Sequence, residues 1–394
     1  MRILLAHNRY QNLGGEDTVF DSEASLLEQH GHTVIKFLED NRRIRNMNPF
    51  LLATNTIWSR FSYKKLARVL METKPDIAHF HNIFPLFSPS VYSACRENKV
   101  PVIQELQNYR LLCPAATLLR NDHICEDCLG KTPPWPGILH ACYRNSRAQT
   151  TIVAAMITIH RCLQTWKNKV DLFITPSAFT RGKFIEAGFL PQKIIVCPNL
   201  FQPFSKEVKK KNQFVFFIGR LASEKGFAIA LRAWQYLDGI PLKVVGDGPL
   251  LPEMQRWVQA QKLAQVEFLG WMDRQELAGC FAQARFLIYP SLYYETFGIS
   301  ISEAYSCGVP VIASRLGALA EIVEDGRTGL LFQAGDAKDL ASKVQWAWNH
   351  PKEMEEMGRE ARRVYEIKFS DERHYSILMS AYETSIRLNA ARTP

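Results

Sequence analysis

Between residues 214 and 314 the chain repeats one pattern five times: a short β-branched or aromatic run that stops at Gly, Pro or a polar residue, then a helix-length segment. The runs are FVFFIGR, LKVVGDG, VEFLGW, FLIYPS and PVIAS. Strands apolar on both faces are parallel strands covered by helices on each side, so this half reads as a doubly wound α/β sheet. The first half keeps the same rhythm less regularly. Ile3–Ala6 forms an apolar run, NLGGED a glycine loop, and an amphipathic helix extends from about Thr18 to His30, closed by Gly31. HTVIKFL is the next strand, and PDIAHFHN, VPVIQEL and VDLFITPS predict three more. A polar, lysine-rich connector, FQPFSKEVKKKNQ at residues 201–213, separates the halves. With 394 residues, 47% of them hydrophobic, the chain is too long for one core. The expectation is two doubly wound domains, 1–200 and 214–370, facing one another across a cleft, with ligands at the carboxyl ends of the strands.

Charge is unevenly shared. Residues 1–200 carry 24 Lys+Arg against 16 Asp+Glu, residues 201–394 carry 24 against 23. A basic first half attracts phosphorylated ligands, anionic lipid or nucleic acid, and charge alone does not choose among them. The start MRILLAHNRY lacks the apolar core and cleavage site of a signal peptide, and the tract TTIVAAMITIHRCLQTW is interrupted by His160 and Arg161. The sequence reading is therefore a soluble, cytoplasmic protein whose nine cysteines are mostly reduced.

The stretch YYETFGISISEAYSCGVPVIAS places Glu295 and Glu303 eight apart in an apolar setting. Gly308 and Pro310 punctuate a helix end, so a helix is predicted from about Gly298 to Cys307, with Glu295 in the loop before it and Glu303 inside it. Free N–H groups at the helix start favour anionic or hydroxyl-rich ligands, and vicinal sugar hydroxyls could satisfy a semi-buried carboxylate. The plainer alternative pairs Glu303 with a nearby Arg and leaves Glu295 solvated. IGRLASEKG offers Gly219, Arg220 and Lys225 after a strand, two cations suited to a diphosphate, or else a surface loop with a solvated Glu224–Lys225 pair. VVGDGP, with Gly246, and FLGWM are two further strand ends with glycine turns. Four such ends in one sheet favour a nucleotide-diphosphate site.

The ordered set GGED, HFHN, IGRLASEKG, VVGDGP, FLGW, ETFGISISEA, CGVPVIAS and ALAEIVEDGRTGLLF resembles the retaining glycosyltransferases of family 4, which have the GT-B fold of two Rossmann-like domains. The resemblance spans nearly the whole chain and implies a sugar transferase using a UDP- or GDP-linked donor. It implies that Arg220 and Lys225 neutralise the donor diphosphate, that Glu303 holds the ribose hydroxyls, and that Glu295, Phe297 and Gly298 contact the donor sugar. Gly270, Trp271 and Met272 would line the base, and Gly14 and Gly15 would let the first helix approach the phosphates and the acceptor. His81 would bind donor sugar or acceptor; alternation puts His79 on the same face, so the choice of His81 is a family inference. The last helix, 371–394, would cross back to the first domain. No D-x-D tripeptide occurs, so no catalytic metal is expected, and fixed cations and helix N-termini would stabilise the leaving diphosphate.

Cys113, Cys125, Cys128 and Cys142 fall in a Gly- and Pro-bearing insert at about 107–145, the acceptor side by resemblance. Their spacing suits a structural zinc, with disulfides and chance spacing as alternatives. Residues 41–70 mix Arg and Lys with Phe, Trp and Leu, which suits either an anionic membrane surface or an ordinary amphipathic helix. Peripheral contact with the inner face of a membrane would fit a lipid-linked rather than a free glycan acceptor. A dinucleotide-dependent oxidoreductase is disfavoured because NLGGED is not G-x-G-x-x-G. A zinc-containing nucleic-acid-binding protein leaves the second half unexplained, so no nucleic-acid partner is expected; a GT-B phosphorylase or epimerase stays open.

Overall fold

The computed structural model describes residues 1–11, 14–201, 204 and 214–392. Most of the predicted connector 201–213 lies outside the described residues, as do Asn12 and Leu13 of the first glycine loop. The chain divides into two compact units, Met1–Leu118 with Cys125–Leu200 and Asp371–Pro394, and Phe201–Ser370 with Leu119–Ile124.

In the first unit β1 (Arg2–Arg9), β2 (Thr33–Asp40), β3 (Ile77–Phe80), β4 (Val102–Glu105), β7 (Leu172–Thr175) and β8 (Ile194–Val196) form one sheet. Its order is β2-β1-β3-β4-β7-β8, and every pairing is parallel. The hairpin β5 (Leu119–Arg120) and β6 (His123–Ile124) lies in the insert and falls with the second unit. Strand β8 carried no sequence signal, because IIV is too short to show a period. Helix α1 (Gly15–Gln29) begins earlier than the apolar pattern suggests, because the Asp17 carboxylate accepts from the Gly14 N–H at 2.9 Å and caps the first turn. The helix Asp371–Ala390 buries His374, Leu378, Ala381, Tyr382, Ser385 and Asn389, a 3.6-residue stripe. Leu378, Ala381 and Tyr382 complete the core that Ile3, Leu5, Phe20 and Ile103 begin. Full burial of a Leu, Ile or Phe side chain among these stabilises by roughly 2 kcal/mol.

In the second unit β9 (Phe214–Ile218), β10 (Leu242–Val245), β11 (Val266–Gly270), β12 (Ala284–Tyr289), β13 (Val311–Ser314) and β14 (Gly329–Phe332) form the other sheet, order β11-β10-β9-β12-β13-β14 and again all parallel. The sixth strand, β14, comes from TGLLF, which sequence periodicity left without an assignment. Trp234 is fully buried in this core, and its indole N–H reaches the Ile240 carbonyl at 2.9 Å. Both sheets therefore have a position where the strand order reverses, β1/β3 in the first and β9/β12 in the second, and such positions open a crevice at the strands' carboxyl ends.

Candidate functional site

The β9/β12 reversal is where the second unit gathers its charged side chains. Lys225 follows β9 and Glu295 follows β12, and Lys225 Nζ donates to Glu295 Oε1 at 2.7 Å. Three hydroxyls complete the shell of Glu295: Ser291 at 2.6 Å and Tyr289 at 3.2 Å on Oε1, Tyr293 at 2.7 Å on Oε2. Four donors therefore converge on Glu295, three of them on Oε1 and one on Oε2. Burial works against both charges. The lysine's proximity and the hydroxyls nevertheless hold the Glu295 carboxyl below its ordinary range, while the same carboxylate raises Lys225 above its own. Lys225 also donates to the Tyr293 hydroxyl at 3.3 Å, which leaves one ammonium hydrogen for another acceptor. Glu295 is thus buried and paired, not solvated.

Glycines allow this convergence. A Cβ on Gly226, at φ +66°, would lie 1.8 Å from the Pro290 carbonyl oxygen, and one on Gly246, at φ +133°, 2.0 Å from that of Gly219. Backbone hydrogen bonds from Gly219 N to Val245 O, from Gly246 N to Gly270 O and from Leu292 N to Glu224 O tie the four strand-end loops together. Arg220 is exposed to solvent and pairs with Glu224 rather than standing free beside Lys225. The solvated Glu224–Lys225 pair that the loop alone suggested is replaced by two separate pairings, because Gly226 turns the chain so that Lys225 faces β12.

The helix Ile299–Ser306 starts after Gly298, whose φ of +99° sets the turn, and carries Glu303 on its buried side. Burial pushes the Glu303 carboxyl up to about 7, with Arg274 drawing it partly back. Arg274 Nη1 lies 3.6 Å from Glu303 Oε1, too far for a strong bond, so the predicted Arg pairing is present but loose. Among the described residues the Glu303 carboxylate accepts no hydrogen bond, the reverse of Glu295. Phe297 buries its ring against Phe369 at 5.5 Å, so it presents backbone rather than side chain. Trp271, after Gly270, is 77% exposed, while Met272 is half-buried beside Cys280. Tyr289, Ser291, Tyr293 and Arg274 were not singled out by the sequence; the one signal for the first three is the density of hydroxyls in YPSLYYE just before Glu295.

The β1/β3 reversal of the first unit is built differently. His7, two residues before the end of β1, lies 3.0 Å from Asp17, both buried. Gly14, at the start of α1, is exposed, but its N–H is already taken by Asp17. His81 follows β3 and sits in a buried cluster with Glu23, His79, Glu105, His374, Cys197 and Tyr382. Its Nε2 lies 3.1 Å from Glu23 yet is poorly aligned for a hydrogen bond. His79, also buried, stands 2.9 Å from the Tyr382 hydroxyl and 3.2 Å from Glu105, and burial lowers it to about 4. Burial disfavours charge on Glu23, but His81 and His374 together hold it well below its ordinary value. Glu105, facing that fixed charge, is pushed up to about 8, by burial first. Glu23, His79 and His81 come within 4.8 Å of one another, close enough to share a metal. Both His79 nitrogens already have partners and Glu23 faces His374 as well, so the arrangement fits a self-paired polar network better than a ligand set.

In the insert, Cys113 and Cys128 are buried and Cys125 and Cys142 half-buried. Burial, then the neighbouring Cys113, Cys142 and Cys125, push the Cys128 thiol up to about 12. The Glu23 grouping, not the four cysteines, meets the close-ligand geometry among the described residues.

Residues 199–364 match the family described as glycosyl transferases group 1. D-rhamnosyltransferase WbpZ of Pseudomonas aeruginosa is 34% identical over 160 residues, 40% of this chain and 42% of that protein. A GDP-mannose-dependent alpha-mannosyltransferase of Corynebacterium glutamicum is 29% identical over 279 residues, 71% of this chain and 60% of that one. The chain thus spans under two thirds of these relatives' length. Among solved structures, HepE of Anabaena with UDP-glucose superposes with TM-score 0.67 at 19% identity, covering 98% of this chain and 99% of that one. Sucrose-phosphate synthase of Thermosynechococcus elongatus gives 0.69 at 16%, over 99% and 100%. The fold is GT-B, an α/β architecture of two six-stranded parallel sheets.

Proposed function

We propose that the chain is a glycosyltransferase that takes a sugar from a UDP- or GDP-linked donor bound at the β9/β12 strand ends. The observation that carries this reading is the contrast between two buried carboxylates in the matched segment: Glu295 accepts from four donors and fixes Lys225, whereas Glu303 has its lone pairs unspent. A donor's vicinal ribose hydroxyls suit Glu303, and the remaining N–H of Lys225 suits the diphosphate. Arg220 joins by leaving Glu224, an exchange that costs little at an exposed pair. Gly219, Gly246 and Gly270 let backbone approach the phosphates and base, with Trp271 and Met272 beside the base. The helix start at Gly298 faces the donor sugar through backbone N–H groups of the Phe297 turn.

The reading extends to retaining, family 4, hexosyl transfer without a metal at the reaction centre. The acceptor, a glycan or lipid-linked saccharide of polysaccharide assembly, attacks from the face the diphosphate leaves, and the departing oxygen takes its proton. Lys225 and Arg220 carry the developing charge. Glu295 is then a positioning residue for Lys225, and it reaches a sugar hydroxyl only by releasing one of its donors. The first unit is the acceptor side, with Gly14, Gly15 and His81 as its proposed residues; the buried position of His81 requires the Glu23 cluster to open or to act through a neighbour. Structural zinc at Cys113, Cys125, Cys128 and Cys142 belongs to the same proposal: four thiols suit the ion, which would reverse the rise at Cys128. Metal analysis after chelation, with the melting temperature followed, tests it.

The test of the reaction is a thermal-shift series with UDP, GDP, ADP and their sugars, since a ligand that binds the folded state raises the melting temperature by mass action. A rise with UDP or GDP is expected, followed by transfer with unchanged anomeric configuration. No response to any nucleotide would overturn the reading.

A further inference from the structure

Two segments of the first unit, 41–71 and 128–170, hold seven and six Lys+Arg residues and not one Asp or Glu. They are far apart in sequence but adjacent in the fold. Helices α2 (Pro49–Ile57) and α3 (Arg60–Thr73) come from the first, α5 (Trp135–Leu139) and α6 (Arg147–Cys162) from the second, α4 (Ser90–Glu97) lying between them in sequence. Helix α6 packs against both α2 and α5. His160 of α6 donates from Nε2 to the Ile57 carbonyl at 2.9 Å and stacks on Trp58 with ring centroids 6.4 Å apart, which joins the two segments.

The same segments expose large apolar side chains. Nine of the thirteen exposed large hydrophobic residues among the described residues lie in them, under a fifth of the chain. Phe50 is 79% exposed, Phe61 59%, Trp135 54% and Leu163 63%. Helix α2 has no charged residue at all. Arg45, Arg60, Lys64, Arg68, Arg144 and Arg147 are exposed and have no carboxylate partner among the described residues, unlike Arg43 and Lys65, which share Glu39.

We infer that this face docks on an anionic lipid surface, with Phe50, Leu51, Phe61, Trp135 and Leu163 entering the headgroup boundary and the unpaired cations around them meeting lipid phosphates. Isolated exposed apolar residues are ordinary, but two adjoining segments that expose nine large apolar side chains among cations, with acids reaching in only from neighbouring elements such as Glu39 and Glu97, are complementary to one partner chemistry. An acidic protein would match the charge yet not the large exposed side chains of Phe50, Phe61, Trp135 and Leu163. The inference stands apart from the proposed reaction.

The experiment is co-sedimentation of the full chain with phosphatidylcholine vesicles, with and without phosphatidylglycerol. Binding to the phosphatidylglycerol vesicles alone, weakened by salt, is expected. A near-surface cation contributes about fivefold in affinity, so the triple variant Arg45→Glu, Arg60→Glu, Lys64→Glu, which loses three cations and adds three acids, should bind at least about a hundredfold less. Phe50→Ser with Phe61→Ser should bind about tenfold less, and both variants should melt as the parent does. Failure of the parent to sediment with anionic vesicles, or equal binding by the charge-reversed variant, overturns the inference. So does a concentration-dependent dimer in sedimentation equilibrium that the serine variant dissociates, which would assign the face to a second copy.

Discussion

The two sheets reverse their strand order in the same way but fill the reversal with opposite chemistry. In the first unit the strand-end histidines are sunk into a closed network with Glu23, Glu105 and His374. In the second, a lysine–glutamate pair with one ammonium hydrogen to spare shares the unit with a second buried glutamate that has free acceptor capacity. The difference separates two uses of buried charge. A network in which each charged group faces another fixes elements to one another; a site that leaves one acceptor unspent is prepared for a ligand.

The largest effect should come from breaking the first arrangement. Glu23→Gln leaves His374 and His81 without their counter-charge, and loss of one partner from a buried pair costs about 3–5 kcal/mol, read as unfolding free energy in urea. Its pH dependence has a definite sign. Glu23 is depressed, so its contribution is present above its ordinary value and is lost as pH falls through the depressed one. Burial opposes charge on His374, but Cys197 and Glu23 raise it well above its ordinary value. Its contribution is therefore complete below pH about 6.5 and is lost only on the alkaline side. A stability curve that keeps its shape in Glu23→Gln would remove the distinction between the two units.

Next is Lys225→Met, which should lower turnover on the order of a hundred- to a thousandfold if the ammonium carries leaving-group charge. It should also destabilise the second unit by stranding Glu295. Adding Glu295→Gln should recover stability without recovering turnover; recovery of both would make the pair purely structural. Gly226→Ala should follow, at about 2–3 kcal/mol of stability, since a Cβ there meets the Pro290 carbonyl and the φ is left-handed. Calorimetry that resolves the two units checks it. Smallest is Glu303→Gln, expected to weaken UDP or GDP binding about tenfold. Because burial lifts this carboxyl to about 7 and hydroxyls donate to its ionised form, parent affinity should rise as pH passes through 7, while the glutamine variant stays flat. A flat profile in the parent assigns the ribose to another group.

What sequence alone determined is the layered α/β architecture and the candidate residues of the second unit. Parallel strands buried on both faces must be apolar throughout and must end at Gly, Pro or polar loops, so FVFFIGR, LKVVGDG and FLIYPS announce themselves locally. The short β8 and the strand at Gly329–Phe332 did not, because three or four apolar residues carry no period. Only the tertiary structure decided which charges meet. Lys225 and Glu295 are 70 residues apart and become partners because a glycine turn and the β9/β12 pairing bring their loops together, while Arg220 takes Glu224 four residues away in the same loop. His374 reaches Glu23 across 351 positions because a stripe on the last helix buries itself in the first unit's core. A side chain's type is fixed by the sequence; its pKa, its partners and its remaining hydrogen-bonding capacity follow from burial and distance, which exist only once the chain has folded.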